Sequence, residues 1–257
     1  MGWDMVIFDL DGTLLDTIGD LGAAVDHAMV VRGVPTHTTE EYKTMVGHGV
    51  KNLVKLALPE NCRDEETVNS ALNDFRRWYE THIDLLTKPF LGIHELLCEL
   101  SSRGVRLAVA SNKFQEGAEA LIKEFFPDIR FDTVLGDRPG HPLKPDAEVV
   151  RSILRASGLE AGTAGPAAGT VAGTDAGTAK VAEGAGQLGL GGRAARVVLV
   201  GDSGTDIRTA RAAGVAAIAV AWGYRPATAL AEALFEAFGA PAPIAYDVPC
   251  LRKLLID

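Results

Sequence analysis

The sequence predicts an α/β fold: a parallel sheet flanked by helices, with a small all-helical unit inserted after the first strand. Three observations point to it. Short apolar, β-branched-rich runs stop abruptly at polar residues, as strands buried on both faces do. Segments with helical apolar spacing alternate with those runs, which implies a parallel sheet. One long interval, 16–86, carries helical signals and no strand signal. Together they give a Rossmann-like core of residues 1–15 and 87–257 and a helical unit over 16–86.

Val6-Ile7-Phe8 is the first strand, ending at Asp9-Leu10-Asp11-Gly12-Thr13. A helix follows from Asp16 to Val31, with Ile18, Leu21, Ala24, Val25, Ala28 and Met29 at helical spacing and Gly33 and Pro35 to end it. Thr38-x-x-Glu41 has the form of a capping box and starts a short helix that stops at Gly47-His48-Gly49. Val50 to Ala57 is a further helix, and Glu65 to Leu86 a longer one. Gly92 to Arg103 is amphipathic; Val105 to Ala110 is the second strand, terminating at Ser111-Asn112-Lys113. A helix from Gln115 to Phe126, a short strand Phe131–Leu135 and a polar loop with Lys144 lead to a helix capped by Asp146. The stretch 161–192 is dominated by Gly and Ala, offers nothing large to pack, and reads as a flexible surface insertion. Arg196–Val200 is then a strand ending at Gly201-Asp202-Ser203, followed by a helix to Ala213 that Gly214 stops. Val215 to Ala221 is the fifth strand, and helices near Leu230–Phe238 and Val248–Leu255 complete the chain.

Composition narrows the classes of function. Apolar residues make up 47% and charged residues 23%, as in ordinary globular proteins. A net charge of −9 argues against a nucleic-acid surface, where a basic patch is expected. It leaves anionic substrates open, because local charge and metal matter more than the total. Cys62, Cys98 and Cys250 are far apart and form no C-x-x-C pair, which suits a reducing cytosol rather than a disulfide frame or zinc site. His27, His37, His82, His94 and His141 show no ligand spacing. No secretory signal or membrane-length apolar run is visible, so the expectation is a cytoplasmic protein, monomer or homodimer, with no membrane partner.

The polar residues with chemical use collect at strand ends: Asp9 and Asp11, Ser111 and Asn112, Lys144 after the third strand, and Asp202 with Asp206. Ligands of parallel sheets bind at those ends. Asp9 and Asp11, two apart in extended chain, lean towards the same side, and Gly12 permits the sharp turn. Singly, Ser111, Asn112 and Lys144 read as strand-ending or solvated residues; their common position makes the case. A carboxylate can be a nucleophile towards phosphorus, but at ~4 Å each unit-charge repulsion costs about 4 kcal/mol at an effective dielectric of 20. Acids grouped around an anion therefore need cations. Mg2+ suits an acid cluster and bridges phosphate oxygens. Lys144 adds a fixed positive charge, and Ser111 with nearby N–H groups can hold the remaining oxygens.

Asp9-x-Asp11-Gly12-Thr13 resembles the first motif of the haloacid dehalogenase superfamily. Ser111, Lys144 and Gly201-Asp202-Ser203-x-x-Asp206 resemble its second, third and fourth. The resemblance implies that Asp9 is nucleophile and magnesium ligand. It makes Asp11 general acid and then base, with its backbone carbonyl on the metal. It gives Ser111, Asn112, Gly12 and Lys144 to the phosphate, Asp202 to the metal, and Asp206 to the metal or its outer support. The helical interval 16–86 is similar to the small cap of one branch, which closes over the site. Gly47-His48-Gly49-Val50-Lys51 is then the expected specificity loop, with His48, Gly49 and Lys51 meeting the substrate. Val46-Gly-His-Gly-Val50, the fourth motif and Trp222-Gly223-Tyr224 resemble phosphoglycolate phosphatases. The implied function is a magnesium-dependent phosphatase acting on a small phosphorylated metabolite, 2-phosphoglycolate in particular. The alternatives are a phosphosugar mutase of the β-phosphoglucomutase type and a phospho-acceptor signalling module, which would be shorter and lack the helical interval.

Overall fold

The computed structural model describes residues 2–159 and 195–257; the expected Gly/Ala insertion at 161–192 lies outside the described residues. In chain order the elements are strands β1 (Met5–Phe8) and β2 (Leu15–Asp16) and helices α1 (Ile18–Val31), α2 (Thr39–Met45), α3 (Val50–Ala57) and α4 (Glu65–Tyr79). Next come β3 (Lys88–Pro89), α5 (Ile93–Ser102), β4 (Arg106–Phe114), α6 (Gln115–Phe125), β5 (Thr133–Asp137) and α7 (Glu148–Ala156). The chain continues through β6 (Val197–Gly201), α8 (Gly204–Ala213), β7 (Ala216–Val220), α9 (Ala227–Phe238), β8 (Ile244–Ala245) and α10 (Val248–Ile256). A six-stranded parallel sheet has the order β5-β4-β1-β6-β7-β8.

Alternation along β1 explains the layers. Val6 and Phe8 face one apolar core with Leu97, Leu121 and Leu251 of α5, α6 and α10. Met5 and Ile7 face a second core with Ile153, Ile207 and Leu234 of α7, α8 and α9. All four β1 side chains are fully buried, so the strand has to be apolar throughout. Being central, with β4 on one side and β6 on the other, β1 delivers its carboxyl end to the place where the strand order reverses. A crevice opens at such a point.

Helices α1 to α4 form a third core of their own, around Val25, Leu53, Phe75 and Tyr79. Its neck is better built than the sequence suggests. β2 pairs antiparallel with β3, and the buried Asp20 carboxylate accepts the Leu86 and Thr87 N–H groups at 2.8–3.0 Å. The two chain crossings are thereby tied together. The interval 16–86 is not wholly without strand, since Asp16 belongs to β2.

Other departures have local causes. Helix α4 ends at Tyr79 rather than Leu86: the Trp78 carbonyl is claimed by Thr81 Oγ1 and His82 Nδ1, so the turn cannot propagate. β4 runs beyond Ala110 to Phe114, its pairing to β5 shifting register between those two residues. β8, two residues long, carries no periodicity for a sequence to show. The Thr38–Glu41 capping box and the left-handed Gly214 stop are both present.

Candidate active site

Asp9 follows β1 directly, its N–H still bonded to the Val200 carbonyl at 2.8 Å. The chain then turns sharply at Gly12, where φ is +82° and a Cβ would lie 2.4 Å from Asp202 Oδ2. Gly223, after β7, is equally confined: a Cβ there would meet Asp202 Oδ2 and the Gly12 carbonyl at 2.4 Å. The two glycines let three backbone segments close on one carboxylate. The Trp222 indole N–H reaches the Thr13 carbonyl at 3.2 Å and fastens the segment in place.

Lys144 stands at the centre, its side chain 3% exposed. Nζ meets Asp9 Oδ1 at 2.8 Å and Asp206 Oδ1 at 2.6 Å and donates to the Ala110 carbonyl at 2.8 Å. All three donors of the ammonium are used. Burial alone would lower its pKa; facing Asp206 and Asp9 outweighs that and raises it. Asp206 is engaged at both oxygens, since Oδ2 accepts the Ser203 hydroxyl at 2.6 Å and N–H at 3.2 Å in a capping box at the start of α8. Asp202 accepts the Tyr224 N–H at 2.6 Å. Burial, reinforced by Asp206, pushes its carboxyl up to about 7. Asp9 is also raised, by burial first and then by Asp206.

Three buried carboxylates against one ammonium form an electrostatically unbalanced cluster. Asp9, Asp202 and Asp206 each offer an oxygen, all within 4.8 Å of one another. Hard oxygen donors, an excess of negative charge and two carboxyls raised by their surroundings fit a divalent cation such as Mg2+. The carboxylate of Asp11 points elsewhere: its Oδ1 accepts the Thr17 hydroxyl at 2.7 Å and Lys113 Nζ at 3.1 Å.

Ser111 and Asn112 line the same cleft as Asp9, Asp11, Lys144 and Asp202. Ser111 Oγ accepts the Lys113 N–H at 3.2 Å. The side chain of Asn112 is occupied by protein: its amide donates to the Gly47 and Lys144 carbonyls at 2.9 and 3.0 Å, and its oxygen accepts the Lys144 N–H at 2.8 Å. It therefore orients Lys144 and the 47–49 turn, and only its backbone is left for a phosphate.

Of the expected specificity loop, Gly49 lines the cleft. Exposed His48 lines a neighbouring groove with Arg208 and Glu236. Lys51 is exposed on α3, its Nζ 3.9 Å from Glu65, because the helix turns that position outward. Two residues to which the sequence reading gave no part in the site line the cleft as well, Arg225 and Lys113. Arg225 donates to the Lys43 and Val46 carbonyls, the latter at 2.6 Å, and clasps the end of α2. Lys113, with a side chain 2% exposed, reaches Asp11. A lone lysine at a strand end gives no signal to separate it from a solvated one. His94, without an obvious ligand pattern in sequence, stands with Cys98 and Asp128 in a second, more exposed group of possible donors.

Comparisons with known proteins give the family. A model of haloacid dehalogenase-like hydrolases matches residues 6–164, and a second, of HAD-hydrolase-like proteins, matches 144–249. A phosphoglycolate phosphatase of Pseudomonas syringae pv. tomato is 29% identical over 233 residues, 89% of this chain and 73% of that protein. One from Neisseria meningitidis serogroup A is 29% identical over 231 residues, covering 88% and 84%. The crystal structure of a Lactobacillus delbrueckii protein, provisionally named a phosphoglycolate phosphatase, superposes with a TM-score of 0.78 at 28% identity, covering both chains completely. The chain belongs to the haloacid dehalogenase-like hydrolases and is an enzyme of their phosphatase branch, similar to phosphoglycolate phosphatases.

Proposed function

We propose that this enzyme is a magnesium-dependent phosphatase that hydrolyses a small phosphomonoester, 2-phosphoglycolate first among them, through a phosphoryl group carried on Asp9. The observation that supports it most is the buried cluster of Asp9, Asp202 and Asp206 around Lys144, opening on a cleft that Asp11 also lines. The Leu10 N–H and Lys144 both hold Asp9 Oδ1, at 2.7 and 2.8 Å, which leaves Oδ2 to attack phosphorus. The contacts of Asp11 likewise fall on Oδ1, which leaves Oδ2 to give a proton to the departing alcohol. It then takes one from the water that hydrolyses the aspartyl phosphate. Ser111 and backbone N–H groups hold the phosphoryl oxygens, and Lys144 offsets their charge.

Asp9 and Asp202 would hold Mg2+, with the Asp11 backbone carbonyl beside them. Asp206, already engaged at both oxygens, supports Lys144 from behind. When bound, the metal supplies charge neutralisation and polarisation of the transferred phosphoryl group. Residues 16–86 act as a cap that excludes water from the cleft. We infer a cytoplasmic enzyme from the three free cysteines.

The test is a phosphate-release screen across small phosphomonoesters with and without Mg2+. Metal-dependent release, fastest for 2-phosphoglycolate, is expected; equal release in the presence of a chelator would refute the reading.

A further inference from the structure

We propose that Lys113 is the residue that selects substrates with a carboxylate next to the ester carbon. The inference rests on the phosphatase reading, since it takes Asp11 as the group facing the leaving oxygen.

Three cations line the cleft among the described residues, and two are committed elsewhere. Lys144 is held by Asp9 and Asp206 at the phosphate end. Arg225 is turned onto the carbonyls of Lys43 and Val46. Lys113 alone stands at the leaving-group end, its Nζ 3.1 Å from Asp11 Oδ1 and 2.7 Å from the Tyr79 hydroxyl. An ammonium has three donors, so these two contacts leave one to offer.

Its surroundings make that donor count. Nζ lies 4.6 Å from the centre of the Tyr79 ring, and much of the cleft wall is apolar: Leu21, Val50, Leu53 and Phe75 from the helical unit, with Phe114 from β4. In such a setting a charged hydrogen bond is screened little by water. In a phosphorylated 2-hydroxy acid the carboxylate is separated from the ester oxygen by a single carbon. With that oxygen at Asp11, the carboxylate falls beside the lysine that touches Asp11. The apolar wall offers nothing to a longer polyhydroxy tail, which favours small acids over phosphosugars. Tyr79 belongs to α4, so the selecting cation is held in part by the helical unit that covers the site.

The test compares 2-phosphoglycolate with ethyl phosphate, which lacks the carboxylate. Binding is measured by calorimetry in an Asp9→Asn background, so that it does not depend on turnover. The protein should prefer 2-phosphoglycolate by about 10- to 100-fold, the usual worth of a hydrogen bond to a charged group. Lys113→Met should erase most of that preference and Lys113→Arg should keep part of it. The ratio is the readout, because losing a partner of Asp11 affects both ligands. Equal affinity before any change at Lys113, or an unchanged ratio in Lys113→Met, would overturn the assignment. A preserved preference without phosphate release by the unsubstituted enzyme would support Lys113 and count against the phosphatase reading instead.

Discussion

Asp9 and Asp11 are two residues apart, yet their surroundings differ. Asp9 is pressed against Lys144 and two further carboxylates, whereas Asp11 is turned to Thr17 and Lys113. Asp9→Asn should abolish phosphate release from an aryl phosphate. Asp11→Asn should cost at least 100-fold with an alkyl phosphate, in keeping with general acid catalysis worth about 10²–10⁴, and steady-state rates check both. Gly12→Ala should destabilise the protein by about 1–3 kcal/mol, the usual cost of a left-handed non-glycine, and weaken Mg2+ binding, because the new Cβ meets Asp202. Urea unfolding and metal titration would show it. At this scale the meeting of Asp9, Asp11, Lys144 and Asp202 on one cleft was legible in the sequence, because all four stand at strand ends or in the loops that follow them. Lys113, Tyr79 and Arg225 were not. Each is an ordinary residue in its local context and acquires a role only from partners at sequence separations of 34 to 182.

Among the elements, the segment after β7 has the most to hold. Trp222 fastens the turn that follows β1, Tyr224 bonds Asp202 and Thr17, and Arg225 clasps the end of α2. One loop thus joins the carboxylate cluster to the helical unit. Arg225→Ala removes several bonds to backbone carbonyls, each worth about 1 kcal/mol net. It should speed amide exchange over residues 43–49 and raise KM more than it lowers kcat. Unchanged exchange there would show that the clasp is idle. The long elements were legible from their periodicity: α1, α3, α8 and α10 fall within a few residues of the sequence reading. The neck strands β2 and β3 and the edge strand β8 are two residues each, too short for any period. They exist only because the chain around them brings their backbones together.

The whole molecule stores unbalanced charge at one point, and its stability should depend on pH accordingly. Asp202 is pushed up to about 7 by burial and by Asp206, against about 3.9 for an unfolded aspartate. Between those values the folded state holds a proton that the unfolded state has released, so unfolding free energy falls as pH rises through the window. The raised Asp9 acts in the same direction. Without metal, the urea midpoint should therefore drop between pH 5 and pH 8. Mg2+, binding deprotonated carboxylates, should restore more stability at pH 8 than at pH 5. A midpoint that is flat with pH, or a metal effect larger at pH 5, would contradict the account. The architecture at this scale was legible because one parallel sheet with a single helical interval leaves few ways to arrange the chain.

Hydrolysis by the proposed route requires a phosphoryl group resting on the Asp9 side chain. An Asp11→Asn variant given p-nitrophenyl phosphate, whose leaving group needs no acid, can form that species but lacks the base to hydrolyse it. Acid quenching and peptide mass analysis should find one phosphoryl group on the peptide containing Asp9, in near-stoichiometric amount. Release of p-nitrophenol with no label at Asp9, or with label on another residue, would contradict it.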